Sequence, residues 1–242
     1  MYMFSNYGQN IMKEPTLSLD SIKLLVDLSS KEREEVARLC KWKRYPAGEQ
    51  IIDRHGESRD VFFVVSGKIR IVIYSMSGRE ITLVDIQGGE HFGELAALDG
   101  QPRSASAMAV EDSQIASLSH EHFNRLIQNK PEVGFLALRK MAQIIRNATE
   151  RIMDLSTLGA NNRVHAEILR LAHEGQIKDN VSTITPIPVH GDIASRVSTT
   201  RETVARVLND LAREKLLKRE RDALLVLDVR KLEQMVEDVR GE

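Results

Sequence analysis

From Arg44 to Leu118 the sequence is cut into short runs rich in β-branched residues, and glycine does the cutting. Ile51-Ile52, Val61–Val65, Ile69–Tyr74 and Ile81–Ile86 are separated by Gly48, Gly56, Gly67, Gly78 and Gly88-Gly89. Ala105–Val110 and Gln114–Leu118 read as closing strands. Short strands at regular spacing, each bounded by a turn signal, fold as a small antiparallel barrel or roll. A short amphipathic helix over 29–42, with Val36, Leu39 and Trp42 at helical spacing, precedes this region, and residues 1–15 read as a loosely held tail.

After Ser119 the pattern turns helical. His120–Gln128 is a short helix broken before Pro131, and a long helix starts at that proline, which the first turn tolerates. Along it Leu138, Met141, Ile145, Ala148, Ile152 and Leu155 recur at alternating steps of three and four. That narrow seam is the mark of a two-stranded coiled coil, so a second copy of the chain is the expected partner. Gly159 interrupts the run, 156–162 reads as a hinge, and Asn161-Asn162 are placed to cap a helix over Arg163–His173 that Gly175 closes. Gln176–Val189 reads as a polar loop, since Pro186 and Pro188 forbid helix there.

Composition narrows the function classes. A formal net charge of −1 over 242 residues means that any nucleic-acid surface must come from local clustering of charge. The single Cys40 excludes an internal disulfide framework and suits a buried residue of a cytoplasmic protein. No apolar run approaches the ~20 residues that span a bilayer, and Met1–Lys13 lacks the pattern of a secretory signal. Beyond His120-Glu121-His122, more simply a helix start, the histidines show no metal-ligand spacing. Hydrolase and nucleotide-triphosphate loops are missing, so neither metal nor catalysis is expected.

Two segments carry chemistry. Phe92–Ala105 sets a carboxylate, Glu94, and a guanidinium, Arg103, on either side of a turn rich in small residues. Gly93 lets a backbone N–H approach a phosphate, and Arg103 offers a planar fork of donors to the same group. Glu94 only accepts, which suits a ribose hydroxyl. Farther on, Asp192–Val197, a turn at Ser198-Thr199 and Thr200–Leu211 form a helix-turn-helix. Val204, Leu208 and Leu211 make its buried stripe, Glu202, Arg206 and Asn209 fall opposite, and Thr200 sits at the N-cap. Leu216–Leu227 reads as a hairpin wing and 229–239 as a last helix.

Phe-Gly-Glu-Leu-Ala followed by Pro-Arg-Ser-Ala resembles the phosphate-binding cassette of cyclic-nucleotide-binding domains. Arg-Glu-Thr-Val-x-Arg-x-Leu from Arg201 resembles the recognition helix of the cyclic-AMP receptor protein family (CRP/FNR superfamily) of bacterial transcription regulators, and the whole chain is similar to that family. The resemblance implies an α+β fold: an N-terminal antiparallel β-roll, a long dimerisation helix and a C-terminal winged helix-turn-helix. The corresponding divisions are 16–130, 131–158 and 159–242. It implies cAMP as effector, with cGMP or dual use as the alternative, held by Gly93, Glu94, Leu95, Arg103 and Ser104. Relatives place a Thr-Ser pair against the base; Ala148 and Thr149 stand there, leaving Thr149 as the polar contact. On DNA, Arg201, Glu202 and Arg206 would read bases and Thr200 and Thr203 would touch phosphates, within a two-fold symmetric TGTGA-like operator. A homodimer and an RNA polymerase contact follow from the same likeness. The chain departs from the family at Val189, Gly191 and Ser198, where relatives carry threonine, glutamine and a turn glycine. One thiol cannot hold the iron–sulfur cluster of some relatives, whereas His91 and Cys40 leave a haem-dependent gas sensor as an alternative.

Overall fold

Residues 17–241 are described by the computed structural model, so the expected tail over 1–15 lies outside the described residues. Helix α1 (Ser30–Leu39) opens with a capping box in which Ser29 and Glu32 satisfy each other's backbone N–H groups. It is shorter than its periodicity predicts. Trp42 leaves the helix for β1 (Lys41–Tyr45), where pairing across from Ala116 draws the chain into a sheet. Its indole N–H still reaches back to the Ala37 carbonyl at 3.1 Å.

The glycine-punctuated region forms the expected roll. Its strands are β2 (Gln50–Ile52), β3 (Val61–Ser66), β4 (Lys68–Tyr74), β5 (Glu80–Gln87), β6 (His91–Phe92), β7 (Ser106–Ala109) and β8 (Ser113–Leu118). They make two antiparallel sheets, in the orders β1-β8-β3-β6 and β2-β7-β4-β5. Strand β3 shows why the roll holds together: successive side chains point to opposite faces. Phe62 and Val64 enter the core between the sheets, while Val61 and Phe63 enter a second core under the helices.

Helix α2 (Glu94–Asp99) lies inside the Phe92–Ala105 segment, and α3 (His120–Asn129) leads into α4 (Pro131–Thr157). Val133 and Ala137 bury α4's first turns against the roll. The apolar seam does not: Leu138, Ile145 and Ile152 are 66%, 65% and 63% exposed in the single chain.

After α4 come α5 (Ala160–Glu174), β9 (Gln176–Lys178), β10 (Val181–Ile184), α6 (His190–Arg196), α7 (Arg201–Arg213), β11 (Leu217–Arg219), β12 (Leu224–Val226) and α8 (Val229–Arg240). Strands β11-β12-β10-β9 form one sheet, so the wing is confirmed and the loop expected over Gln176–Val189 contains a hairpin. Asp179 and Asn180, both at positive φ (50° and 67°), make its turn, a geometry that Asp and Asn tolerate. The cap expected at Asn161-Asn162 is replaced by Gly159, which offers no side-chain bond.

Candidate functional site

Among the described residues, three buried side-chain polar atoms have no hydrogen-bond partner: His91 Nε2, Glu94 Oε2 and Arg103 Nε. All three belong to one neighbourhood. Buried polar groups are normally satisfied, so such a cluster marks where a polar ligand fits. Gly93 turns the chain into α2 with φ 83°, and a Cβ there would stand 2.9 Å from Arg103 Nη1 and 3.0 Å from the Asp60 carbonyl. Only glycine lets the guanidinium lie so close. Arg103 Nη1 donates to the Gly93 carbonyl at 2.8 Å, and Nη2 donates to the Asp60 carbonyl at 2.8 Å. Burial pulls its pKa below the usual guanidinium range, against the opposing charges of Asp60 and Glu94.

The structure thus brings Gly93, Glu94 and Arg103 together, with Leu95 and Ser104 exposed at the rim. It also adds a residue that sequence reading missed. Lys140 of α4 donates to the His91 carbonyl, tying the long helix to the strand before α2. Burial lowers its pKa, while the carboxylates of Glu94 and Glu90 favour its charged form. Burial likewise pulls the His91 imidazole down to about 3, and Lys140 adds to the effect. Thr149 is not part of this cluster. It lies exposed about two and a half turns beyond Lys140, and its hydroxyl donates to the Ile145 carbonyl at 2.9 Å.

In the helix-turn-helix, α7 buries Val204, Val207 and Leu211, with Leu208 only half-buried. Ser198 holds the left-handed turn position, φ 53°, that a glycine would take without strain. Thr200 caps α7 by accepting from the Thr203 N–H at 3.2 Å. Arg201, Glu202 and Arg206 are exposed, while Thr203 is half-buried behind the cap. Glu202 is held below the usual carboxylate range by its own backbone N–H and by Thr200. Among the described residues no ion pair joins it to Arg206, whose Nη2 donates to Asn161 Oδ1 at 3.3 Å. Gly191 lets the Arg201 side chain pass: a Cβ there would meet Arg201 Nε at 2.9 Å.

An ion-pair cluster joins the roll to this unit. Arg70 of β4 binds Asp192 of α6 through two bonds, 2.7 and 2.8 Å, and Asp85 of β5 at 2.9 Å. Arg196 Nη2 closes on Asp85 at 2.6 Å, and the hydroxyls of Thr82 and Ser195 meet at 2.8 Å. Burial opposes ionisation of Asp85, yet Arg70, Arg196 and Lys68 hold its pKa below the usual range. Arg151 of α4 completes the junction, donating to the Thr82 carbonyl at 2.8 Å and the Arg196 carbonyl at 2.7 Å.

Comparison with known proteins covers both regions of the chain. The cyclic nucleotide-binding domain family matches residues 42–130, and the Crp-like helix-turn-helix domain family matches 162–235. A roll of the first kind on one chain with a helix-turn-helix of the second defines an effector-responsive, DNA-binding regulator of transcription. The cyclic AMP receptor protein of Thermus thermophilus is 36% identical over 170 residues, 70% of this chain and 76% of the relative. A CRP-like cAMP-activated global transcriptional regulator of Mycobacterium tuberculosis is 28% identical over 78% of this chain and 84% of its own length. Among solved structures, a CooA mutant from Carboxydothermus hydrogenoformans shares the fold, with TM-score 0.78 and 24% identity over 88% of this chain and 95% of that one. The chain therefore belongs to the CRP/FNR family of cyclic-nucleotide-binding transcription regulators. Among the described residues no helix is long and apolar enough to cross a membrane.

Proposed function

We propose that this chain is a cAMP-responsive homodimeric regulator, acting in the cytoplasm without catalysis or a bound metal. The observation that carries the effector site is the pair of buried, unpartnered atoms Glu94 Oε2 and Arg103 Nε. A ribose hydroxyl donates to the first, and a phosphate oxygen accepts from the second. Gly93 keeps the backbone open beside them, with Leu95 and Ser104 at the rim and Thr149 on the dimer helix. The names of the curated relatives, cyclic AMP receptor and cAMP-activated regulator, favour adenine over guanine. A haem ligand set has less support, because burial pushes the Cys40 thiol up to about 12 and the thiol donates to the Val36 carbonyl at 3.3 Å.

Division of labour follows the elements: 16–130 binds the nucleotide, 131–158 pairs with a second copy, and 159–242 binds DNA and meets RNA polymerase. Arg201, Glu202 and Arg206 read the bases of TGTGA-like half-sites while Thr200 and Thr203 hold phosphates. A nucleotide that binds better to one arrangement of α4 shifts the population toward it, and the junction at Arg151 passes the shift to α6. Calorimetric titration with cAMP and with cGMP, followed by selection from random DNA with each ligand present, tests the reading. Saturable cAMP binding and recovery of symmetric guanine-bearing half-sites are expected. No binding of either nucleotide refutes it.

A further inference from the structure

Four consecutive carbonyls, those of Arg196, Val197, Ser198 and Thr199, run through the turn between α6 and α7, and each accepts a bond from a guanidinium outside those two helices. Past the last turn of a helix the intrahelical donors run out, so carbonyls there need partners from elsewhere. Three different elements supply them. Arg151 of α4 reaches the Arg196 carbonyl at 2.7 Å, and Arg163 of α5 reaches Val197 at 2.8 Å and Ser198 at 3.4 Å. Arg79, in the roll between β4 and β5, reaches Thr199 at 2.9 Å. Two of these arginines are tied to a second place as well. Arg163 Nη1 donates at 2.7 Å to the carbonyl of Leu158, the residue that ends α4, and Arg151 Nη1 donates at 2.8 Å to Thr82 of β5. Ser198 stands at φ 53°, where a residue with a Cβ is strained, so the shape of the turn depends on bonds made to it from outside.

We infer that Arg163 and Arg151 are positioning residues for the recognition helix. Arg163 fixes the pose of α7 to the end of α4, and Arg151 makes that pose depend on where α4 stands against the roll. The inference rests on the reading of α7 as the helix that meets DNA bases. A guanidinium is planar and its donors keep a fixed relation to one another, so one group bonded to two carbonyls sets the placement of two pieces of chain. A shift of α4 along the roll cannot keep Arg151 on both Thr82 and Arg196. The bond given up loosens the turn that leads into Thr200, the N-cap of α7. A recognition helix reads bases from its N-terminal residues, so a tilt at its start displaces Arg201 and Glu202 while the charge that attracts phosphates is unchanged.

Arg163→Lys and Arg151→Lys, made in the full-length protein, test this, because lysine keeps the charge but cannot bridge two carbonyls in a fixed geometry. Fluorescence anisotropy compares them with wild type on two duplexes of equal length, one recovered by wild type from random DNA and one of unrelated sequence. Each protein is held at a cAMP concentration that calorimetry shows to saturate it. We expect both variants to bind the recovered duplex tenfold or more weakly than wild type, and the unrelated duplex within twofold of wild type. A loss that is equal on the two duplexes reports general damage to the domain and overturns the inference, as does no loss on either. Should Arg163→Lys fail to melt as a folded protein, Arg151→Lys decides by the same comparison. A wild-type protein that recovers no preferred duplex overturns the reading of α7 as well.

Discussion

Replacing Arg103 by leucine tests the site most severely, and the structure changes what should be expected of it. From the sequence, the substitution removes the one cation of the Phe92–Ala105 segment and leaves the fold intact. In the structure Arg103 is 5% exposed and ties two other stretches of chain to its own, bonding the carbonyls of Gly93 and Asp60, each at 2.8 Å, and, beside Asp60, the Ser58 hydroxyl at 3.3 Å. Its guanidinium also lies 5.6 Å from the Phe62 ring centre. Leucine can reach the same space but leaves two carbonyls without their donor. Each orphaned acceptor costs about 1–3 kcal/mol, so a total of about 2–4 kcal/mol is expected after the leucine's own burial offsets part of it. For a chain of this size about 1 kcal/mol moves Tm by about 2–4 °C, which gives a drop of about 5–15 °C. Loss of the charge-assisted phosphate contact, about 1.5–3 kcal/mol, lowers cyclic-nucleotide affinity by roughly 10- to 150-fold. Scanning calorimetry and isothermal titration on the same preparation read the two effects. A variant that melts within about 1 °C of wild type and binds within about threefold would refute both assignments.

Ile152→Glu puts a charge on the exposed seam of α4, so sedimentation should show monomers and operator binding should fall; an unaltered dimer would mean that another surface pairs the copies. A double-mutant cycle on Arg70→Ala and Asp192→Ala should give a coupling of about 0.5–2 kcal/mol in thermal unfolding, reduced because the Asp192 side chain is 37% exposed, and additive effects would remove Arg70 from the junction. His91 is neutral when folded, its pKa depressed from 6.5 to about 3. Its stabilising contribution is complete above pH 6.5. As pH falls from there toward 3 the unfolded chain takes up a proton that the folded one refuses, so stability drops by up to about 1.4 kcal/mol per pH unit. His91→Phe should flatten that acid limb in denaturant titrations between pH 6.5 and 4, and an identical slope would mean that another group titrates there.

What could be read in advance was whatever the chain states locally. Gly93, Glu94 and Arg103 lie within eleven consecutive positions, and their residue types limit what they can hold. The recognition helix is equally local, and its cap at Thr200 forms as its sequence requires. Misreadings arose where a local signal met a tertiary one. Trp42 fits a helical spacing, but pairing with Ala116 draws it into a strand. Pro186 and Pro188 do forbid a helix, yet the hairpin before them was hidden because its strands, Gln176–Lys178 and Val181–Ile184, are too short for an alternation to stand out. The roll-facing stripe of α4 was masked by the seam beside it. Lys140 and Arg151 are polar, and polar residues flanking a coiled-coil seam read as a solvated face until a partner is seen above them. The junction between Arg70 and Asp192 spans 122 positions and joins a strand to a helix in the other half of the chain. Neither residue is unusual in its own neighbourhood. A guanidinium on a strand and a carboxylate in a helix's first turn both have ordinary local explanations, so only the fold that brings them to 2.7 Å makes them one feature. The contacts that set one domain against the other are therefore the ones for which sequence carries least signal, whereas the groups proposed to meet nucleotide and DNA are written in short, self-contained stretches.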